Sequence, residues 1–303
     1  MNTRRRFGGA LLALSMAGSP GGLSCKNSSK PDAKPQASAA PSAPKIRLQA
    51  LPWRVGDKAR VTRKTEMKLS VEFWQEGEKF GAQESLRSEE YAREAEVLGL
   101  VGGTPVKQRV RYERYRFKEA KPDEPPRQDN SLEGQSYVVD ASEQEITATS
   151  ADGKRLAREE LDRLAPLHVG LGIEDKIVAE LKDKTIAVGG HAAMREALFR
   201  GLVTTVQGDL KEGKITLSGT RMENGRQAAV FDWTAEMETH EQNEMVTTWH
   251  IKGQVVLATS PAMTLRATMS ADVDVGGQTR KSGRRVDFQG SGTMHDERTL
   301  TPL

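Results

Sequence analysis

A single cysteine, Cys25, stands in a chain of 303 residues. That excludes an intrachain disulfide, C-x-x-C redox chemistry and zinc sites built on several cysteines. No apolar run approaches the ~20 residues of a membrane-spanning helix. With 29% of residues charged, a polytopic helical membrane protein is excluded as well. Net charge is small, +3 over the full chain. With Arg4, Arg5 and Arg6 set aside, the 42 remaining basic residues equal the 42 acidic ones. Such a chain has no global electrostatic attraction to nucleic acid, and no nucleic-acid partner is expected. The five histidines, His168, His191, His240, His250 and His295, show no i,i+2 or i,i+4 pairing and no HExxH. No metal site is expected from that spacing, and no motif implies a cofactor. G-x-S-x-G is absent, because Gly290-Ser291-Gly292 lacks the spacing. What is present is 36% apolar residues and 28 glycines, enough for a folded chain.

The N-terminus has three parts. Arg4, Arg5 and Arg6 form a basic region, and Phe7 to Ala17 an apolar stretch of signal-peptide length. Ser-Pro-Gly-Gly-Leu-Ser then leads to Cys25. A sole cysteine in this position resembles the lipobox of bacterial lipoproteins, where cleavage before the cysteine leaves a thiol that carries diacylglycerol. Leu23 and Ser24 fit that pattern, and Gly22 stands where leucine is usual. The resemblance implies a signal peptide over 1–24, lipidation at Cys25 and a membrane partner held through the lipid. Arg4, Arg5 and Phe7 lie in a segment similar to the twin-arginine export motif, although an ordinary secretory signal carries such arginines too. From 25 to 45 the chain is rich in Pro, Ala and Ser, with no large apolar side chain. Such a segment cannot offset its ordering entropy and is read as a tether. Its 20 residues after Cys25 reach up to ~60 Å at ~3 Å each. The expected location is the cell envelope, on the periplasmic side.

Residues 46–303 read as one domain, since no second linker of that kind interrupts them. Period-2 alternation dominates. Ala59, Val61, Met67, Leu69, Val71 and Phe73 share one face of a strand whose other face is charged. Met263, Leu265, Ala267, Met269, Ala271, Val273 and Val275 repeat the pattern, as do Phe231 with Trp233 and Trp249 with Ile251. Turns are expected at Glu212-Gly213, Asn224-Gly225, Glu241-Gln242-Asn243, Ser260-Pro261 and Gly276-Gly277. About six strands then form a meander over 202–297 and four or five fill 58–151. Runs of about 15 residues make strands of ~50 Å, which must twist and curl. The middle of the chain differs. Leu156, Glu160 and Leu164, then Ile173 to Leu181, then His191 to Phe199 predict three short helices between about 155 and 200. The expected fold is mainly β: a long-stranded antiparallel half-barrel or open barrel with helices inserted mid-chain.

This architecture resembles the lipoprotein-localisation-factor fold. At sequence level the chain resembles bacterial envelope lipoproteins of no assigned activity, through Val55-Gly56-Asp57 before the first strand and Gly290-Ser291-Gly292-Thr293 in the last. Val188-Gly189-Gly190 departs from the second Val-Gly-Asp those proteins carry. The resemblance implies no catalytic residues, and the expectation is a non-enzyme.

Three readings of function follow. One is a carrier whose concave apolar face, with Met67, Leu69, Phe73, Phe231, Trp233, Trp249, Met263 and Met269, holds an apolar envelope ligand or lipoprotein. Another is a structural or protein-interaction lipoprotein whose apolar face is a filled core. The third is a hydrolase with an unrecognised site. Arg63 breaks the apolar row of the first strand. It either extends its head to water at a sheet end or pairs with an acid inside, where it becomes a polar anchor. Glu89, Glu90, Glu94 and Glu96, interleaved with Arg87 and Arg93, read as a solvated face. Arg109, Arg111, Arg114 and Arg116 read as partners for that acidic strand. Ile186 to Gly190 mimics the strand, glycine turn and helix start of a phosphate site, but it lacks the P-loop pattern and reads as the start of a helix.

Overall fold

The computed structural model describes residues 45–303 except 50, 51, 144, 183, 205, 207, 241–244 and 282–283. Arg4, Arg5, Phe7, Cys25 and the tether up to residue 44 therefore lie outside the described residues. In chain order the elements are β1 (Lys45–Arg47), β2 (Lys58–Gln75), β3 (Glu78–Val101), β4 (Thr104–Ala120), β5 (Arg127–Asp129), β6 (Ser136–Asp140) and β7 (Thr147–Ser150). Then come α1 (Arg158–Leu164), a 3-10 turn (Ala165–His168), α2 (Lys176–Leu181), β8 (Thr185–Ala187), β9 (His191–Ala193) and α3 (Glu196–Leu202). The chain closes with β10 (Asp209–Glu223), β11 (Arg226–His240), β12 (Val246–Thr259), β13 (Ala262–Lys281) and β14 (Arg284–Pro302).

One antiparallel sheet of 12 strands runs in the order β7-β6-β4-β3-β2-β14-β13-β12-β11-β10-β9, with β5 paired to β4. Its two ends do not meet, so it is an open, mainly β fold with short helices inserted mid-chain, as the alternation predicts. The C-terminal strand β14 lies between β13 and β2 and joins the two strand blocks. Hairpin loops Glu76-Gly77, Gly102-Gly103 and Asn224-Gly225 each place both residues at positive φ. That is the turn whose twist matches long paired strands.

Several boundaries differ from the sequence reading. The segment after residue 202 holds five long strands, not six. Gly276-Gly277 runs through β13 in continuous pairing. Glu212-Gly213 lies inside β10, at a register shift. Gly213 is required there by close approach: a Cβ would sit 2.8 Å from Met194 Cβ, beside the Met194 N–H bonded to its carbonyl. In place of a helix from His191, residues His191–Ala193 pair with β10 and the helix begins at Glu196. The expected turn at 241–243 lies outside the described residues.

The two larger of three core clusters lie between one face of the sheet and the middle segment. The larger joins Phe231, Trp233, Trp249, Val255 and Met269 to Ile177, Leu181, Leu198 and Phe199 of α2 and α3. The smaller joins Tyr91, Val110, Tyr112, Tyr115 and Tyr137 to Leu164 and Leu167 of α1 and the 3-10 turn. Strand β1 pairs with β8 and adds Ile46 and Leu48 to the larger cluster.

Candidate functional site

Most of the residues expected to form an apolar ligand face are interior. Phe231 is 1% exposed, and Trp233, Trp249 and Met269 are buried with it beneath α2 and α3. Met67, Leu69 and Phe73 are half-buried at the margin of this cluster. Met263 is not with them. A bulge between Val256 and Leu257 makes Leu265 an extra residue in the pairing with β12. One extra residue reverses the alternation. Met263 therefore packs with Ala228, Val230, Val256, Ala258 and Leu265 on the opposite face.

Arg63 pairs with an acid inside. Its Nε donates to Asp296 Oδ1 at 2.8 Å, and the same oxygen accepts the Thr65 hydroxyl. The side chains of Arg63 and Asp296 are 12% and 10% exposed. Arg63 Nη2 also donates to Thr204 Oγ1 at 3.3 Å, tying the segment after α3 to the sheet. Its neighbours in the row are Val61, which packs in the smaller core, and Met67, which packs in the larger. The ion pair thus marks the seam between the two cores. Burial acts to lower the guanidinium pKa and Asp296 acts to raise it, with a net upward shift. Glu89 lies close by. Burial holds its carboxyl above the usual range, against the pull of Arg63 and Arg87.

Arg93 and His168 form a second buried polar group. Arg93 Nη1 donates to the Leu167 carbonyl at 3.0 Å and the Tyr112 hydroxyl at 3.1 Å, and lies 2.9 Å from His168 Nε2. Its guanidinium carbon is 5.2 Å from the centre of the Tyr91 ring and 5.9 Å from that of Tyr112. No carboxylate of the described residues pairs with it. Burial, then the Arg93 charge, depress the His168 pKa well below the ordinary value, so the imidazole is neutral. Burial pushes the Tyr112 hydroxyl up to about 12. This arrangement holds the 3-10 turn against β3 and β4, with the Tyr112 hydroxyl 3.0 Å from His168 Nε2 in the same buried cluster. The sequence reading put Glu89 and Arg93 on a solvated face. The signal that finds them inside is parity: Tyr91, Ala95 and Val97 share their side of β3. Acid and base do pair on the other side, where Arg109 meets Glu96 at 2.9 Å and Arg114 meets Glu90 at 2.8 Å.

The sheet's other face is open and carries mostly polar and charged side chains, with Leu86, 49% exposed, alongside them. Two depressions, of about 680 and 540 Å³, share Lys252, Ser270 and His295 and so form one trough. Its walls come from strands: β2 to β5 at one end, β10 to β14 at the other. A small apolar cluster lies on this face near one end of the strands. There Val230, Val256 and Leu265 point to the open side yet are 8%, 1% and 2% exposed. The residues aimed into the trough include Glu66, Lys68, Lys118, Asp232, Gln254, Thr268 and Asp272. Concavity expected on the apolar face thus lies on the polar one.

His250 is half-exposed between Glu236 and Asp274. Among the described residues no group of three or more His, Cys, Asp or Glu side chains is placed to hold a metal ion. The glycine turn at 189–190 connects two short strands, β8 and β9, so it offers no helix N-terminus to a phosphate and starts no helix.

No protein-family model and no curated protein matches the chain. Among solved structures it is similar to lipovitellin, in a structure of that protein's lipid–protein interactions. There identity is 10%, TM-score 0.36, and the match covers 80% of this chain and 25% of the other. The chain thus spans about a quarter of that protein. A complex of Pseudomonas aeruginosa MucA and MucB matches at 9% identity and TM-score 0.13, covering 75% and 88%. The P. putida toluene transporter TodX matches at 5% and 0.13, covering 83% and 91%. These values show neither a family nor an activity.

Proposed function

We propose that the chain is a lipid-anchored protein of the cell envelope, held on the periplasmic side through Cys25. It acts without catalysis, by engaging an envelope partner on the open polar face of its sheet. One observation carries this reading: the chain's own helices fill the apolar face, and a trough of more than 500 Å³ lies on the other face. Helices α2 and α3 occupy the apolar face where a carried lipid would lie, whereas an uncovered concave surface suits a docked partner. The anchor and location rest on the sequence alone. The non-enzymatic reading is supported by the sealed setting of His168 and Arg93, which are 2% and 9% exposed.

A smaller observation favours the carrier reading. Met67, Leu69, Val71 and Phe73 lie half-buried at the margin of the helices, and Phe80, 55% exposed, meets Phe73 with ring centres 6.1 Å apart. One experiment separates the two. A photo-crosslinking residue replaces Ser270 in the trough or Glu159 on α1, in cells making the acylated protein, and the purified protein is extracted for lipid. A partner captured at 270 and not at 159, with no stoichiometric lipid, is expected. Stoichiometric lipid, or equal capture at both positions, refutes the trough as the working surface.

A further inference from the structure

The floor of the trough is a single line of side chains across eight strands. In register, Lys214 pairs with Thr234, Thr234 with Lys252, Lys252 with Ser270, and Ser270 with His295. His295 pairs with Glu66, Glu66 with Ser88, and Ser88 with Lys118. Seven strand spacings of about 4.8 Å make this line roughly 34 Å long on a flat sheet. Lysine recurs after about 10 Å and again after about 24 Å, with a hydroxyl beside each. Several charged side chains elsewhere on this face are paired, Arg109 with Glu96, Arg114 with Glu90, Arg266 with Glu297 and Lys211 with Glu238, while Arg111 and Arg116 are exposed on β4 beside Lys118. Among the described residues Lys118, Lys214 and Lys252 form no ion pair with a carboxylate, although all three are exposed. Glu66, the one acid in the line, is matched by Lys64 at 2.9 Å. Of the flanking acids, Asp232 accepts the Gln254 amide at 2.9 Å, while Asp272 stands at the trough's side.

We propose that this line binds an extended acidic glycan, a chain of sugars with carboxylate or phosphate groups, laid across the strands. This rests on the trough being the working surface and adds the chemistry of its occupant. Three exposed ammonium groups at wide intervals, with Asp232 and Asp272 flanking the middle one, suit a polymer with spaced negative charges. Thr234, Ser270 and Ser88 between them both donate and accept hydrogen bonds, as sugar hydroxyls require. A protein partner is favoured less. Docked proteins hold on through buried aromatic and aliphatic anchors, and the line itself contains no apolar side chain, although Leu86, 49% exposed, stands beside its Ser88–Lys118 end.

The test uses the full chain with Cys25→Ser, compared with the same chain carrying Lys118→Gln, Lys214→Gln and Lys252→Gln. The probes are polygalacturonate, neutral dextran and polyglutamate. The parent is expected to bind polygalacturonate in a salt-sensitive manner, and the triple variant about tenfold or more weaker. Dextran is expected not to bind, and polyglutamate to bind more weakly than polygalacturonate. Unaltered binding by the triple variant, equal binding of dextran, or preference for polyglutamate overturns the acidic-glycan assignment. If polygalacturonate fails while crosslinking at 270 persists, the trough stands and only its ligand chemistry falls. If both fail, the trough itself is refuted.

Discussion

Replacing Arg63 by methionine tests the seam between the two cores. Methionine keeps an apolar stem of similar reach and deletes the charge. Asp296 then retains the Thr65 hydroxyl and loses the guanidinium that accounts for its burial. Removing one partner of a buried ion pair costs about 3–5 kcal/mol, against a total stability on the order of 5–15 kcal/mol. With both side chains at or below 12% exposure, solvent screening offers little relief. Arg63→Met should therefore lower the urea midpoint strongly at an unchanged slope. Arg63→Met with Asp296→Leu removes both charges and should recover most of the loss. The deficit should also depend on pH. Glu89's carboxyl is already raised by burial and loses the opposing pull of Arg63, so its folded pKa rises further. A raised acid contributes stability at low pH that is lost as pH rises through the folded pKa. The deficit should thus be larger at pH 7 than near pH 4.5. Wild-type stability in the single variant, or a double variant worse than the single, refutes the reasoning.

His168 titrates in the opposite sense to Glu89. Its folded pKa is depressed, so the stability it contributes is present above about 6.5 and lost as pH falls toward the folded value. Thermal melts between pH 7 and 4.5 should show a steeper acid loss in wild type than in His168→Gln. At Gly253 a Cβ would meet the Thr268 carbonyl and lie 2.6 Å from Trp233 Cε2. Gly253→Ala should cost about 1–3 kcal/mol by overpacking, read by chemical denaturation. Asp175 caps α2, its Oδ1 accepting the Ile177 and Val178 N–H groups at 3.0 and 3.2 Å. Asp175→Ala should cost about 1 kcal/mol, and more if the Thr264 bond to its other oxygen matters, as Thr264→Val would show. Finally, Cys25→Ser should move the protein from the detergent phase to the aqueous phase in cell fractionation. Retention in the detergent phase would place the anchor elsewhere.

Strand length, the antiparallel order within each block and the helices between about 155 and 200 were legible because each depends on neighbours in sequence. Alternation of period two records which side chains share a face, and Asn224-Gly225 records a local backbone demand. The same logic singled out Arg63, one charge in an apolar row. It applied equally to Arg93, between Tyr91 and Ala95, but glutamates at 89, 90, 94 and 96 masked the pattern. Met263 was misplaced because a bulge is one residue in a pairing, and pairing involves two strands.

By itself the sequence determined an open-ended set of long, one-sided strands and a short helical insertion. Only the tertiary structure decided which face of the sheet is free. Alternation says that one face is apolar. It does not say whether another part of the chain covers that face or leaves it concave, because the residues that cover it lie as far away as Ile177 and Phe199. Curvature is equally non-local. It accumulates from twist and bulges over many strands, and here it turned the polar face into the trough.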